Sequence, residues 1–470
     1  MNRVPLLVSM LCLATGPAFA EDLLAVYDRA LVNDPQIREA DATRLAAREA
    51  RPQAWGALLP QVTGSASRQR DWSDGTGFQQ FVFGTNPPTT SQTGGSSINN
   101  TDTWRINIRQ NVFSWANWMT LKAASHQVAQ AEANYLVARQ GLAQRVAQQY
   151  FAVLNARDVV DANSAARDAY QRQLDQAEKR FEVGLIAITD VQQARAARDT
   201  SAANLIAAKR TLANAEEQLR ATVGDRYASL NKPAESMPLA APTPSNEEDW
   251  VKVSMDQNAS LTASRLAADI ARDQVQVQFS GHLPTVDLVA GRSYSNSDGN
   301  RLLGSTVTNS AAEAYGKSVS LQVTVPIFSG GNTQSRVRQS QYNWIAAKER
   351  LERTSRETER LARDSYLAVI SGISQVQALK QALASSQTAM KATEAGYEVG
   401  TSTIVDVLTS RGQLMQAQTN YSQALYGYLN SLIQLRLASG DLDRGTVEEI
   451  SKWLTETVKS SGREAAKTTG

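Results

Sequence analysis

The chain has 470 residues, with 48 Lys and Arg against 46 Asp and Glu, two histidines and one cysteine. Charges of both signs are interleaved, so there is no electrostatic footprint for nucleic acid, and so few His and Cys residues leave almost nothing from which to build a metal-ligand cluster or a His-based triad. After the first twenty residues no run of about 18 apolar residues occurs, which excludes a membrane-spanning helix but leaves open a β-barrel, whose strands need only about 10 alternating residues.

Arg3, the apolar stretch from Val4 to Ala14 and Ala18-Phe19-Ala20 have the layout of a secretory signal peptide, so a mature chain beginning at Glu21 is expected. Cys12 lies inside the removed segment, and Leu11 before it is too large for a lipoprotein signal. Neither disulfides nor a lipid anchor are expected. Apolar periodicity then predicts helix from Asp22 to Ala57, with an equivalent from Glu247 to Ser280. His126 and His282 read as solvated polar side chains.

Four segments alternate as strands do. Trp104, Ile106, Ile108, Gln110 and Val112 face one way, and Arg105, Asn107, Arg109 and Asn111 the other. In the second half Val319, Leu321, Val323, Val325 and Ile327 oppose Ser318, Ser320, Gln322 and Thr324. Each is preceded by a weaker alternation after a Leu-Pro pair: Leu59-Pro60 with Val62 and Ala66, and Leu283-Pro284 with Val286, Leu288 and Ala290. The expectation is one hairpin per half, at about 60–113 and 284–327. Gly, Ser, Asn and Thr crowd Asp71–Asp102, which also holds Pro87-Pro88, and Ser295–Tyr315, so both read as long hairpin loops. Trp104, Phe113, Trp115 and Trp118 gather near one strand end, as an interfacial girdle would. A half-buried strand in a water-soluble sandwich is the alternative. It is disfavoured because four strands cannot cover so much helix.

From Ser114 to Glu182, and again from Ser329 to Glu398, there is no proline and little glycine, which at about 1.5 Å per residue allows rods of roughly 100 Å. On the returning helices Leu205, Ala208, Leu212, Ala215, Leu219 and Thr222, and likewise Tyr421, Ala424, Tyr428, Ser431, Leu435 and Ala438, alternate steps of three and four, a coiled-coil seam. Leu425, Leu429 and Leu432 widen that stripe, so each helix has neighbours on both sides. Gly184 and Gly400 break the pattern between outgoing and returning rods, marking two hairpin tips.

The chain is a tandem duplication. Phe181-Glu-Val-Gly-Leu-Ile-Ala-Ile-Thr-Asp-Val191 and Tyr397-Glu-Val-Gly-Thr-Ser-Thr-Ile-Val-Asp-Val407 lie 216 positions apart, and the same offset carries Leu219-Arg220 onto Leu435-Arg436 and Gly224 onto Gly440. The halves span 21–230 and 247–441, joined by a proline-rich linker at 231–246 and followed by a charged tail, 442–470, mobile at its end. So long a repeat is not a solenoid; it points to two equivalent halves around a common axis.

Four strands cannot close, and an open sheet edge is intolerable in lipid, so the chain is expected to oligomerise. Eight strands from two copies would be filled by side chains, whereas twelve from three leave room for passage. The predicted fold is mainly α with a membrane β-barrel, three copies sharing a 12-stranded barrel continuous with a ring of paired helices. A trimeric adhesin or structural coiled coil explains rods and strands but not two equivalent tips. A periplasmic enzyme explains almost none of the pattern.

Phe181–Arg195, Gly281-His-Leu-Pro-Thr-Val-Asp-Leu288, Pro326-Ile-Phe-Ser-Gly-Gly331 and Gly396–Leu408 resemble, in order, the signatures of the TolC-type outer-membrane channel-tunnels, and the resemblance covers about Asp22 to Asp441. It implies a homotrimeric export duct in the Gram-negative outer membrane, without enzymatic activity, cofactor or metal. Inner-membrane transporters and their periplasmic adaptors would recruit it, with cargo from drugs and detergents to secreted proteins. By that resemblance Thr189, Asp190 and Tyr397 match the periplasmic gate, a Tyr hydroxyl donating to a carboxylate. Ser402 stands where the family has a gate arginine. Asp406 matches a pore-facing constriction aspartate that attracts cations, and Thr409 replaces a second aspartate one turn later. Gly184-Leu185 and Gly400-Thr401 belong to the tip surface that meets the adaptor. From the residues alone, Thr189, Asp190 and Asp406 equally suit helix-start capping.

Overall fold

A computed structural model describes residues 22–81, 89–225, 229–234, 237–303 and 306–459. The expected signal segment, Pro87-Pro88 and the end of the tail lie outside the described residues. The chain forms two compact units, each drawn from both halves of the duplication: one comprises 45–131 and 264–351, the other the remaining segments.

The first unit is built on a four-stranded antiparallel sheet. Its strands β1 (Gln61–Phe81), β2 (Thr89–Phe113), β4 (Thr285–Leu303) and β5 (Thr306–Thr324) run in the order β1-β2-β4-β5, which leaves β1 and β5 as edges. Alternation places Val62, Ile106, Ile108, Leu288, Val319, Leu321 and Val323 on one face, and that face is exposed, Val319 at 78%. Within the expected loops, Asp71–Phe81, Thr89–Asp102, Ser295–Leu303 and Thr306–Tyr315 are instead strand. Asp71 pairs with Asn99 and Ser295 with Ala314, and the first ladder continues to Phe81 opposite Thr89. Backbone hydrogen bonds make these ladders, so they need no apolar pattern; pairs such as Ser67 Oγ–Thr103 Oγ1 and Ser73 Oγ–Ser97 Oγ, both 2.7 Å, bridge the strands. At the other end β5 stops at Thr324, so Val325 and Ile327 fall outside it.

His126 is not merely solvated. Its Nδ1 lies 2.8 Å from a carboxylate oxygen of the buried Asp273, which Lys122 also approaches at 3.2 Å. A buried carboxylate demands a counter-charge, which Lys122 supplies.

The second unit holds the returning helices α5 (Ile188–Val223) and α9 (Ile404–Ser439), packed with the later parts of the outgoing helices α4 (Trp115–Glu182) and α8 (Asn332–Glu398). Along the seam Leu205, Leu212, Leu219 and Leu435 are buried, each contributing roughly 1.5–3 kcal/mol. Gly224 (φ 88°) and Gly440 (φ 80°) end α5 and α9 in the left-handed conformation, and at Gly440 any Cβ would meet the Gln257 carbonyl oxygen at 2.5 Å.

The main core gathers around Tyr150, Phe151, Tyr426, Tyr428 and Leu429. Sequence periodicity treated Asp22–Ala57 and Glu247–Ser280 as single helices; both are broken. α1 (Leu23–Asn33) gives way at Asp34 to α2 (Pro35–Arg48) and α3 (Ala50–Gly56), and α6 (Glu247–Gln257) at Asn258 to α7 (Ala259–Phe279). Asp34 and Asn258 each accept a backbone N–H of the following helix, a local bond that competes with helix continuation.

The linker and tail carry more structure than their composition implied. β3 (Ser229–Pro233) overlaps the expected linker and pairs antiparallel with β6 (Leu454–Lys459), and α10 (Arg444–Ser451) precedes β6. Tyr150 Oη clamps this small sheet, donating to the Asn231 carbonyl at 2.6 Å and accepting its N–H at 2.9 Å. Nearby, the Tyr426 hydroxyl donates to Asp158 at 3.0 Å. Burial raises the Asp158 carboxyl above its ordinary range.

Candidate functional site

The two hairpin tips have the same backbone and different side-chain chemistry. At the first, Gly184 (φ 79°) reverses the chain, and the N–H of Leu185 reaches back to the Arg180 carbonyl at 2.8 Å. At the second, Gly400 (φ 84°) does the same, with Thr401 N–H on the Gly396 carbonyl at 2.8 Å. Val183, Leu185 and Val399 are exposed there, 69% to 77%.

The returning helices start differently. Thr403 caps α9 in a reciprocal box: its Oγ1 accepts Asp406 N–H at 3.3 Å, its own N–H donates to Asp406 Oδ2 at 2.8 Å, and its hydroxyl approaches the same oxygen at 2.7 Å. These bonds from Thr403 hold the Asp406 carboxyl below the usual carboxylate range. The equivalent of Thr403 in the first half is Ala187, which has no hydroxyl and makes no side-chain cap. Among the described residues, no side-chain hydrogen bond reaches the carboxylate of Asp190. Thr189 is exposed beside it.

Both hairpins meet in a small core of Leu174, Ala177, Val191, Ala194, Met390, Tyr397, Ile404 and Val407. Tyr397 is buried in it, and its hydroxyl finds no hydrogen-bond partner among the described residues. The expected Tyr397-to-Asp190 bond is therefore not formed within the protomer. Instead the Arg180 guanidinium lies over the Tyr397 ring, 4.6 Å from its centroid, joining the two tips. Ser402 folds against Gly396, where a Cβ would meet its Oγ at 2.5 Å. Asp406 and Thr409, one turn apart, share the exposed face of α9 opposite buried Ile404 and Val407.

Sequence reasoning missed Arg180 and a duplicated ion pair. Arg195 bonds Glu178 at 2.8 Å across the first hairpin, and Arg411 bonds Glu394 across the second. The 216-residue offset carries one pair onto the other, so the repeat itself holds that signal. Arg180 maps onto Gly396, a departure from the repeat that marks where the tips diverged.

In the sheet, Trp104 does not group with Phe113, Trp115 and Trp118. It stacks on Tyr294 at 6.1 Å, and Tyr294 lies 5.0 Å from Tyr315, forming a row across three strands. Nine residues of strand separate Trp104 from Phe113, about 30 Å, or about 23 Å once tilted as barrel strands are. That is the height of the apolar band of an outer-membrane barrel.

A family model described as "Outer membrane efflux protein" matches residues 26–225 and 250–441. The chain belongs to that family. It is 34% identical over 453 residues to the outer membrane protein TolC of Vibrio cholerae, covering 96% of this chain and 98% of that one. Identity to the TolC of Escherichia coli is 35%, over 95% of this chain and 88% of that one. Among solved structures, its fold matches that of the outer membrane protein VceC from Vibrio cholerae, with a TM-score of 0.70 at 20% identity over 89% of this chain and 96% of that one. The protein is an export duct of the Gram-negative outer membrane with a periplasmic extension.

Proposed function

We propose that three copies share one 12-stranded barrel and one ring of helical hairpins, and that the hairpin tips gate this duct for an inner-membrane transporter and its periplasmic adaptor. The observation that carries the reading is the unclosed sheet: two free edges, β1 and β5, on strands whose apolar face is exposed. Lipid tolerates neither an unpaired edge nor a partial ring, and an even strand count lets β5 of one copy pair antiparallel with β1 of the next. The exposed apolar tip residues Val183, Leu185 and Val399, with Gly184, Gly400 and Thr401, form the surface that meets the adaptor. Asp406 and Thr409 line the constriction, and Thr189, Asp190, Tyr397 and Ser402 hold it shut.

Cysteines introduced one per edge, Thr63→Cys and Thr324→Cys among a set stepped along both strands, test the closure. A disulfide-linked trimer at one register, with discrete conductance steps in planar bilayers, is expected. A monomer at every register overturns the reading.

A further inference from the structure

The wet face of the sheet carries a charge with no counter-charge. Register places Ser65, Arg105, Ser293 and Gly316 in one row across the four strands. The row on one side is Thr63, Asn107, Gly291 and Ser318; on the other it is Ser67, Thr103, Ser295 and Ala314. Arg105 is thus an exposed guanidinium in a field of small neutral side chains, and no hydrogen bond or ion pair engages it among the described residues. Arg109, four residues along the same face, differs: Asp287 bonds it at 2.7 Å, and Asn111 bonds that carboxylate at 3.0 Å.

A neighbouring copy brings no remedy. The described wet-face positions of β5, from Thr308 to Thr324, are Ser, Thr, Ala, Gly and Gln, and on β1 the nearest acid is Asp71, six residues or about 20 Å along the strand from Ser65. Among the described wet-face residues of the sheet, Arg105, Arg109 and Arg301 stand against Asp71 and Asp287, so one net positive charge per protomer remains on the lumen side, with Arg105 at the level of the Trp104 row on the opposite face.

We propose that Arg105 is a binding contact for anionic cargo: a ring of guanidiniums on the barrel lumen that recognises the oxyanion groups, carboxylate, sulfonate or phosphate, of exported compounds. This rests on the duct reading. A guanidinium offers a planar fork of donors that fits an oxyanion bidentately, and the small flanking residues leave its approach open. Low-dielectric walls focus the field of such a ring across the bore. The ring opposes in sign the three carboxylates proposed at Asp406, so the duct would carry separate contacts for cations and for anions.

The test uses the full-length protein in planar bilayers, in an Asp406→Asn background that removes the other proposed filter. Reversal potentials are read under a KCl gradient, and inositol hexakisphosphate serves as the oxyanion probe. Arg105→Gln is expected to lower the chloride-to-potassium permeability ratio about threefold and weaken block by the probe about tenfold, with Arg105→Glu going further and Arg105→Lys keeping the permeability ratio. Discrete conductance steps with the same ratio and the same block in all four proteins would overturn the proposal and leave the duct reading intact. Absence of conductance in every protein would overturn both.

Discussion

The two hairpin tips began as copies and now do different things with the same carboxylate. In the second, Asp406 is tied to Thr403 in a capping box; in the first, Ala187 has replaced the threonine, and Asp190 sits in the first turn of α5 without that partner. A capping carboxylate is held in place by its own helix, whereas one released from capping is free to answer to something else. The comparison separates a fixed charge, suited to lining a bore, from a free acceptor, suited to a latch. In the proposed gate the donor is Tyr397, whose buried hydroxyl has no partner among the described residues and whose ring is covered by Arg180 from the opposite tip.

The largest expected effect breaks the latch side of that comparison. Tyr397→Phe and Asp190→Asn should each raise the resting open-to-closed ratio in planar bilayers by about tenfold, the cost of a hydrogen bond involving a charged group. Unchanged resting conductance in both would remove the pair from the gate. The fixed charge is tested by Asp406→Asn, which should cut the potassium-to-chloride permeability ratio roughly fivefold, while Asp190→Asn leaves it unaltered. In the same recordings Thr409→Asp adds a second ring and should strengthen multivalent-cation block; equal block in wild type would count against a constriction here.

Smaller effects sharpen the capping difference itself. Thr403→Ala removes a helix cap worth about 1 kcal/mol, so amide exchange at residues 404–407 should quicken about fivefold. Ala187→Thr should slow exchange at 188–191 by a similar factor, and no change would mean that the first tip cannot form the box. The smallest effect is one of pH. Because the folded Asp406 carboxyl titrates below its ordinary value, the box contributes stability that is present above about pH 4 and lost as pH falls through the lowered value. The protection factor at 404–407, which is exchange relative to the unstructured rate at the same pH, should therefore fall on acidification; the first tip, with Ala187, has no such box to lose.

Asp158 has the opposite sign. Burial raises its pKa, so its contribution is greatest below the ordinary carboxylate range and is lost as pH rises through the raised value. Asp158→Asn should accordingly raise the Tm more at pH 7 than at pH 4. An equal shift at both would show that the Tyr426 hydrogen bond outweighs desolvation.

Much of the architecture was legible because it repeats or alternates. The seam, the tips and the four apolar strand faces follow from side-chain periodicity, which burial on one face imposes directly on the residues. The outer parts of the first two strands were illegible: Asp71–Phe81 and Thr89–Asp102 read as loop because their ladder is held by backbone groups that every residue carries. At the tips, the sequence pointed to the glycines and to an aspartate at the start of each returning helix but not to Arg180, whose partner lies on another helix.

The sequence by itself determined a duplicated chain with four strands it cannot close, two long helical hairpins and a pair of matched turns, since each follows from local periodicity and from residues only a turn can use. Tertiary structure alone decided that Arg180 covers Tyr397, that β3 finds β6 more than two hundred residues away, and that Asp190 and Asp406 stand in different surroundings. Contacts between segments distant in the chain depend on how whole elements pack, and no spacing along one segment encodes its neighbour across the core.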